Sequence, residues 1–472
     1  MENSQKIAAN TAWQILGKII GTVFGIITIG LLTRYLGQED FGHYTTAIAF
    51  MQFFGVLVDM GLYLICLKEI SARPEKENYI IGNIFTLRVI SAVIFIGGGI
   101  ILIFAFPYPL VVKLSGAIVA ISFFFMSLVQ TLTTVFQKYL KMGSVALAEV
   151  LGRAGFLGAI ILFILFKNNL PYLLWGNVAN TFIYFIILWF LVKRYVKIRW
   201  QVDFDYWKLI FKKAWPIALG IVFNLIYFRA DTIILSLFKP AAEVGIYGAP
   251  YKILEIIATF PHMFMGLVMP VLTVAWLANQ LDKFKSAVQQ TFDFFAMLAL
   301  PMILGTLPLA KPIMILIAGG DFAASGAVLA ILILATGIIF LGVLLTYLLV
   351  ILEKQRAMLK YFFTAAVLSL IGYLIFIPRY SYFGAAWVTV GVELFIVITA
   401  WLIFYRTTKV KIKFQIFFKS LLASGLMALI IYVLPAWHVL ILIGLAMLIY
   451  FVLMLTIGGI DKKFLFNLLK LK

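Results

Sequence analysis

Long apolar runs separated by short polar or basic breaks recur from Ala12 almost to the end of the chain, and they predict a protein built of membrane-spanning helices. The runs lie at 12–36, 40–67, 79–106, 113–137, 143–166, 171–192, 214–238, 244–276, 286–317, 325–351, 357–377, 383–405, 415–435 and 437–459. About 20 apolar residues cross one bilayer core, so each run reads as one crossing. The expected fold is an all-α polytopic membrane protein of fourteen transmembrane helices. Within the ninth run Pro301, Pro308 and Pro312 interrupt the pattern, and Ala310–Ala318 reads as a separate short helix at the interface. Pro250, Pro261 and Pro270 are expected to break the eighth repeatedly.

The polar breaks set the orientation. Of the 38 lysines and arginines, 27 fall in the loops of one side and six on the other, while Lys18, Arg88, Arg153, Arg229 and Lys252 lie inside spans. Positive charge favours the cytoplasmic side, so both termini are expected there, as an even number of crossings requires. The first apolar run ends without a small-residue cleavage site, so it is expected to remain as a span rather than a cleaved signal. The longest basic loop, 193–213, carries Phe204, Tyr206, Trp207, Ile210 and Phe211 among its lysines. It reads as an amphipathic interfacial segment, with a regulatory role as the alternative.

Composition narrows the function classes. The chain is 64% hydrophobic and 12% charged, which leaves no stretch for a separate soluble domain. A net charge of +19 could suggest nucleic acid, but the cations are scattered through short loops with no reading module, so topology accounts for them. Cys66 is the only cysteine, which excludes an internal disulfide and a cysteine-ligated metal cluster. His43, His262 and His438 have no metal-ligand spacing, and no phosphate-binding loop is present. Neither an enzyme nor a cofactor or metal protein is expected.

A short repeat divides the chain. Asp40-Phe-Gly-His-Tyr44 opens the second span and Glu243-Val-Gly-Ile-Tyr247 the eighth, at an offset of 203 residues. Both copies sit at the outer end of a helical hairpin, and six crossings separate them, so the hairpins run in the same direction. Parallel repeats of this kind build several transporter folds. The expected domains are an N-lobe at 1–200, a C-lobe at 201–408 that includes the basic linker, and a last helix pair with its tail at 409–472.

Charges inside spans are costly and mark candidate working residues. Lys18 follows Asn10 and Gln14 at steps of four, beside Gly17, Gly21 and Gly25, whose spacing suits close helix approach. Lys18 could equally reach the cytoplasmic headgroups. Asp59 and Arg88 lie at similar depth on adjacent spans and can pair; Glu149 and Arg153 are four apart and can pair within one helix. Arg229 and Asp231 are two apart, about 200° around a helix, and cannot pair in a regular one. Asn224, Tyr227 and Asp231 share one face, and Lys252, Glu255, Thr259 and His262 another, where Lys252 can pair with Glu255. Asp293 and Glu393 complete the intramembrane acids. Cations in both halves suit an anionic substrate, and the acids suit proton or sodium coupling. Charge alone leaves both open.

Three motifs in order resemble those of polysaccharide-biosynthesis flippases in the multidrug/oligosaccharidyl-lipid/polysaccharide exporter superfamily. They are Leu31-Leu-Thr-Arg-Tyr-Leu-Gly-Gln-Glu-Asp-Phe-Gly-His-Tyr44, Arg229-Ala-Asp-Thr-Ile-Ile-Leu235 with Gly245-Ile-Tyr247, and Ile377-Pro-Arg-Tyr-Ser-Tyr-Phe-Gly-Ala-Ala-Trp387. The resemblance covers essentially the whole chain. It implies two six-helix lobes around a central cationic cavity that opens to either side in turn. It further implies a polyprenyl-pyrophosphate-linked glycan as substrate, the inner (plasma) membrane as location, and glycan polymerase and glycosyltransferases as candidate partners. Carried over by position, Arg229 and Lys252, then Lys18, Arg88 and Arg153, are the expected substrate-binding cations, with Tyr227 and Tyr251 as aromatics for sugar faces. Asp231, Glu255, Glu393 and Asp59 are the expected ion-coupling or charge-balancing acids. The alternatives are a cation-coupled multidrug antiporter of the same superfamily and a membrane scaffold for glycan-synthesis enzymes.

Overall fold

The computed structural model describes residues 2–435 and 437–459, and those residues form helices and turns without a strand. In chain order the α-helices are α1 (Glu2–Asp59), α2 (Leu62–Ala72), α3 (Glu77–Ala105), α4 (Leu110–Lys138), α5 (Met142–Leu165) and α6 (Leu170–Val192). They continue with α7 (Phe204–Phe238), α8 (Ala241–Leu277), α9 (Leu281–Ala318), α10 (Ser325–Ile351), α11 (Gln355–Thr408), α12 (Gln415–Val433) and α13 (Val439–Thr456). Among the described residues twelve helical segments are long and apolar enough to cross a bilayer, as befits a multi-pass membrane protein.

Two pairs of expected spans run on as continuous helical segments. The first two merge across Gly37 (φ 67°), and the eleventh and twelfth across Ser381 (φ 52°). In each case one residue of left-handed backbone turns the chain and hydrogen bonding then resumes, so no polar loop is needed. Glycine takes that conformation freely, whereas at Ser381 it costs about 1–3 kcal/mol. Helices α8 and α9 correct a second expectation. Both run unbroken through their prolines, including the stretch expected to form a separate helix at 310–318. Each proline removes one backbone bond and crowds one carbonyl, and the turns on either side carry the helix through.

The chain divides into two compact units, Met1–Gly248 and Ala249–Lys472. In the first, α2, α3 and α4 meet the start of α7 in a core that includes Ile65, Ile80, Leu132 and Phe136. Residues 193–203, expected as an amphipathic surface segment, instead form an extended strap laid along α3. Asn78 accepts from the backbone N–H of Lys197 (2.8 Å), Thr86 from that of Gln201 (3.1 Å) and Asn83 from that of Asp203 (2.9 Å). The spacing has a simple origin. Eight residues of helix, 78 to 86, rise about 12 Å, and four of extended chain, 197 to 201, about 13 Å. The two therefore stay in register. Gly82 lets the strap approach, since a Cβ there would lie 2.5 Å from the carbonyl oxygen of Arg199. Asp203 ends the strap. It accepts a hydrogen bond from the Tyr79 hydroxyl and, from the backbone N–H groups of Asp205 and Tyr206, the two bonds that cap α7. The amphipathic pattern is realised just beyond, where Tyr206, Trp207, Ile210 and Ala214 of α7 are buried in the first unit's core.

In the second unit α10 is apolar on every side and correspondingly enclosed. Helices α12 and α13 pack on α9 through Leu309, Met427, Ile431 and Leu442. The chain leaving α11 is tied down as the strap is: Gln289 of α9 exchanges two bonds of 2.8 Å with the backbone of Lys413.

Candidate functional site

Intramembrane charge on the helices before α7 includes two groups. One gathers where α1 meets α5, and the glycine spacing of α1 explains it. A Cβ on Gly17 would crowd that of Ala146 at 2.7 Å, while Gly21 and Gly25 clear a trough for the Arg153 side chain. Arg153 lies along this trough, donates to the carbonyl of Gly21 (2.8 Å) and pairs with Glu149 (2.9 Å). Lys18 reaches the same oxygen of Glu149 at 3.4 Å and remains about a third exposed. Two cations thus share one carboxylate, which among the described residues leaves a net positive charge at this helix contact. Asn10 belongs to the α1 backbone described, but its side chain lies outside the described residues.

The second group is closed. The guanidinium of Arg88 has no exposed surface; it pairs with Asp59 and donates to Gln130 (2.7 Å) and to the carbonyl of Ser127 (2.8 Å). Asp59 also accepts from the backbone N–H groups of Gly61 and Tyr63, where α1 gives way to α2 through left-handed Met60 and Gly61. Arg88 therefore holds a chain break together, as the paired reading of the sequence allows.

On the α7–α8 hairpin, Asp231 is fully buried. It accepts from the Tyr247 hydroxyl (2.6 Å) and from the backbone N–H (2.5 Å) and hydroxyl (3.2 Å) of Thr232. Arg229 is 8% exposed. Asn224 donates to the Tyr227 hydroxyl (2.5 Å), and Tyr227 and Tyr251 are 6% and 2% exposed, both rings packed in the interior. In the second unit Lys252 pairs with Glu255 at 2.9 Å, each about a fifth exposed. Asp293 accepts from Gln289 (2.9 Å), and His262 lies 6.1 Å from the Tyr347 ring. Glu393 is 6% exposed and, among the described residues, has no ion pair or hydrogen bond.

One feature of the repeat surfaces only in three dimensions. Gly42 and Gly245 are equivalent positions, and they face each other. A Cβ on Gly42 would overlap the carbonyl oxygen of Ala241, and one on Gly245 that of Gln38, itself the repeat equivalent of Ala241. One turn on, Gly248 packs against its own equivalent, Thr45. Contacts between equivalent positions are what a two-fold axis produces. The repeat showed these residues to be equivalent; nothing in it said they would touch. Asp231 was likewise legible as a buried acid, but its partner Tyr247, sixteen residues on, was not.

These features define a multi-pass membrane protein with charged side chains inside its apolar helices. A family model described as "Polysaccharide biosynthesis protein" matches residues 7–276. The chain belongs to that family and, with it, to the multidrug/oligosaccharidyl-lipid/polysaccharide exporter superfamily. A putative O-antigen transporter of Shigella flexneri is 24% identical over 315 residues, covering 63% of this chain and 73% of the relative. The succinoglycan biosynthesis transport protein ExoT of Rhizobium meliloti (strain 1021) is 23% identical over 359 residues, covering 71% and 67%. Among solved structures, the lipid II flippase MurJ in an inward closed conformation superposes with a TM-score of 0.76 at 15% identity, covering 93% of this chain and 97% of that one. An inward-facing multidrug resistance MATE transporter follows at 0.65 and 13%, covering 84% and 97%. At such identity the likeness establishes the fold.

Proposed function

We propose that the protein moves a polyprenyl-(pyro)phosphate-linked oligosaccharide from the cytoplasmic to the outer leaflet of the inner membrane by alternating access. Counting the two halves of α1 and of α11 as separate crossings gives fourteen, arranged as two six-helix lobes and a terminal pair, with both termini cytoplasmic. The observation that carries the reading is the cation excess at Lys18, Glu149 and Arg153, which suits a phosphate in a membrane interior. Lys18 is its most accessible member. Arg229 and Lys252 are the proposed contacts on the later helices, through charge-assisted hydrogen bonds, and Lys252 would exchange Glu255 for the phosphate. Tyr227 and Tyr251 would meet sugar only in a conformation that uncovers them.

The test is glycan export in a flippase-deficient strain carrying Lys18→Ala, Arg229→Ala or Lys252→Ala at matched protein levels. Loss of export of tenfold or more is expected for at least one of the three. Wild-type export by all three would overturn the phosphate role. A second reading, a cation-coupled drug antiporter, is favoured by Glu393, a buried carboxylate without a partner among the described residues, of the kind that carries a proton. Dye efflux that depends on Glu393, with unchanged surface glycan, would select it.

A further inference from the structure

We infer that the groove between the end of α6 and the strap binds the headgroup of an anionic glycerophospholipid of the cytoplasmic leaflet. The groove holds about 340 Å³. Trp189, Val192 and Val196 form its apolar side; Lys193, Lys197 and Arg199 supply its charge, and no acid lines it. The acid nearest in sequence, Asp203, is engaged by Tyr79 and the cap of α7. Lys197 and Arg199 alternate along the strap with Val196 and Ile198, which line the groove too, so the strap brings both charge and apolar surface to it. Lys193 is steered by its neighbours, its ammonium lying 5.7 Å from the Trp189 ring and 5.0 Å from that of Phe190.

Rigidity distinguishes this groove from an ordinary basic loop. The backbone carrying Lys197 is hydrogen-bonded to Asn78, the carbonyl of Arg199 rests on Gly82, and Gln201 is held by Thr86. The backbone under Lys197 and Arg199 is thus ordered before any ligand arrives, and no backbone ordering entropy is lost there on binding. The level in the membrane also fits. Trp200 of the strap and Phe204 and Trp215 of α7 are 70%, 68% and 59% exposed, as aromatic residues are at a bilayer surface. A phosphodiester with an apolar tail meets each requirement: three cations for the phosphate, and Trp189, Val192, Val196 and Ile198 for the hydrocarbon next to it. The inference does not depend on what the protein transports.

The experiment is native mass spectrometry of the full-length protein in detergent, titrated with phosphatidylglycerol, with phosphatidylcholine and with undecaprenyl phosphate. Phosphatidylglycerol should bind more tightly than phosphatidylcholine. Each cation near an anionic lipid contributes about fivefold, so Lys193→Gln, Lys197→Gln and Arg199→Gln together should weaken phosphatidylglycerol binding about a hundredfold. Gly82→Ala should weaken it with no change of charge, because it lifts the strap; Asn78→Ala replaces it if that variant fails to fold. Lys208→Gln with Lys212→Gln, exposed cations outside the groove, should leave binding as in wild type. Equal loss in that control pair, wild-type binding by the triple variant, or unchanged binding in a folded strap variant would each overturn the proposal. So would tight binding of undecaprenyl phosphate alone, which would make the groove a substrate site.

Discussion

Lys18 and Arg88 are both intramembrane cations paired with a carboxylate, yet the structure separates them. Arg88 has no exposed surface, and its two donating nitrogens are committed to acceptors on Asp59, Gln130 and Ser127 around the α1–α2 break. Removing one partner of such a pair strands the other charge and costs about 3–5 kcal/mol. Arg88→Ala should therefore lower thermal stability in detergent by that order. Arg88→Met combined with Asp59→Asn, which keeps an acceptor for the Gly61 and Tyr63 N–H groups, should recover most of the loss. Lys18→Ala breaks only a 3.4 Å contact at a partly exposed site, and its stability should change by less than about 1 kcal/mol while export falls. A large stability loss in Lys18→Ala, or none in Arg88→Ala, would reverse the two assignments. The contrast moves Arg88 from the proposed substrate contacts to the framework.

At the level of elements, the strap shows what holds the start of α7. The Tyr79 hydroxyl, then the backbone N–H of Tyr206, hold the carboxyl of Asp203 below its ordinary value of 3.8, against a smaller opposing effect of burial. A group lowered in this way contributes stability that is complete above its unfolded value and lost as pH falls through the folded one. Protection of the Lys197, Gln201 and Asp203 amides from hydrogen exchange should thus hold at pH 5 and weaken below about 3.8. In Asp203→Asn this pH dependence should vanish, and its persistence would place the acid-sensitive contact elsewhere. The elements differed in how far the sequence disclosed them. Apolar periodicity placed nearly every helix, and i, i+3 or i, i+4 spacing placed the Glu149–Arg153 and Lys252–Glu255 pairs, because both are local properties. The strap was not legible. Asn78, Tyr79, Asn83 and Thr86 look like ordinary polar residues at a helix end, and their partners lie more than a hundred positions away. Gly37 and Ser381 hid the opposite way: a single left-handed residue turns the helix where a loop was expected.

At the scale of the whole molecule, the crossing of Gly42 and Gly245 ties the repeat to the proposed cycle. Both residues open a hairpin at its outer end on the expected topology, and glycine at both positions lets the two backbones touch. Parallel repeats in transporter folds can rock against one another. If alternating access operates, this contact must part once in every cycle. Thr45 and Gly248 offer a way to prevent it, since a Cβ built on Gly248 lies 3.2 Å from that of Thr45, near the separation a disulfide spans. The one native thiol, Cys66, is buried and does not compete. Thr45→Cys with Gly248→Cys should therefore cross-link on mild oxidation, abolish glycan export while linked and regain it on reduction. Either single variant should export under both conditions. A double variant that cross-links fully yet exports at the wild-type rate would show that the crossing is a fixed seam. The moving gate would then have to lie elsewhere than at the turn of α1 and the α7–α8 hairpin.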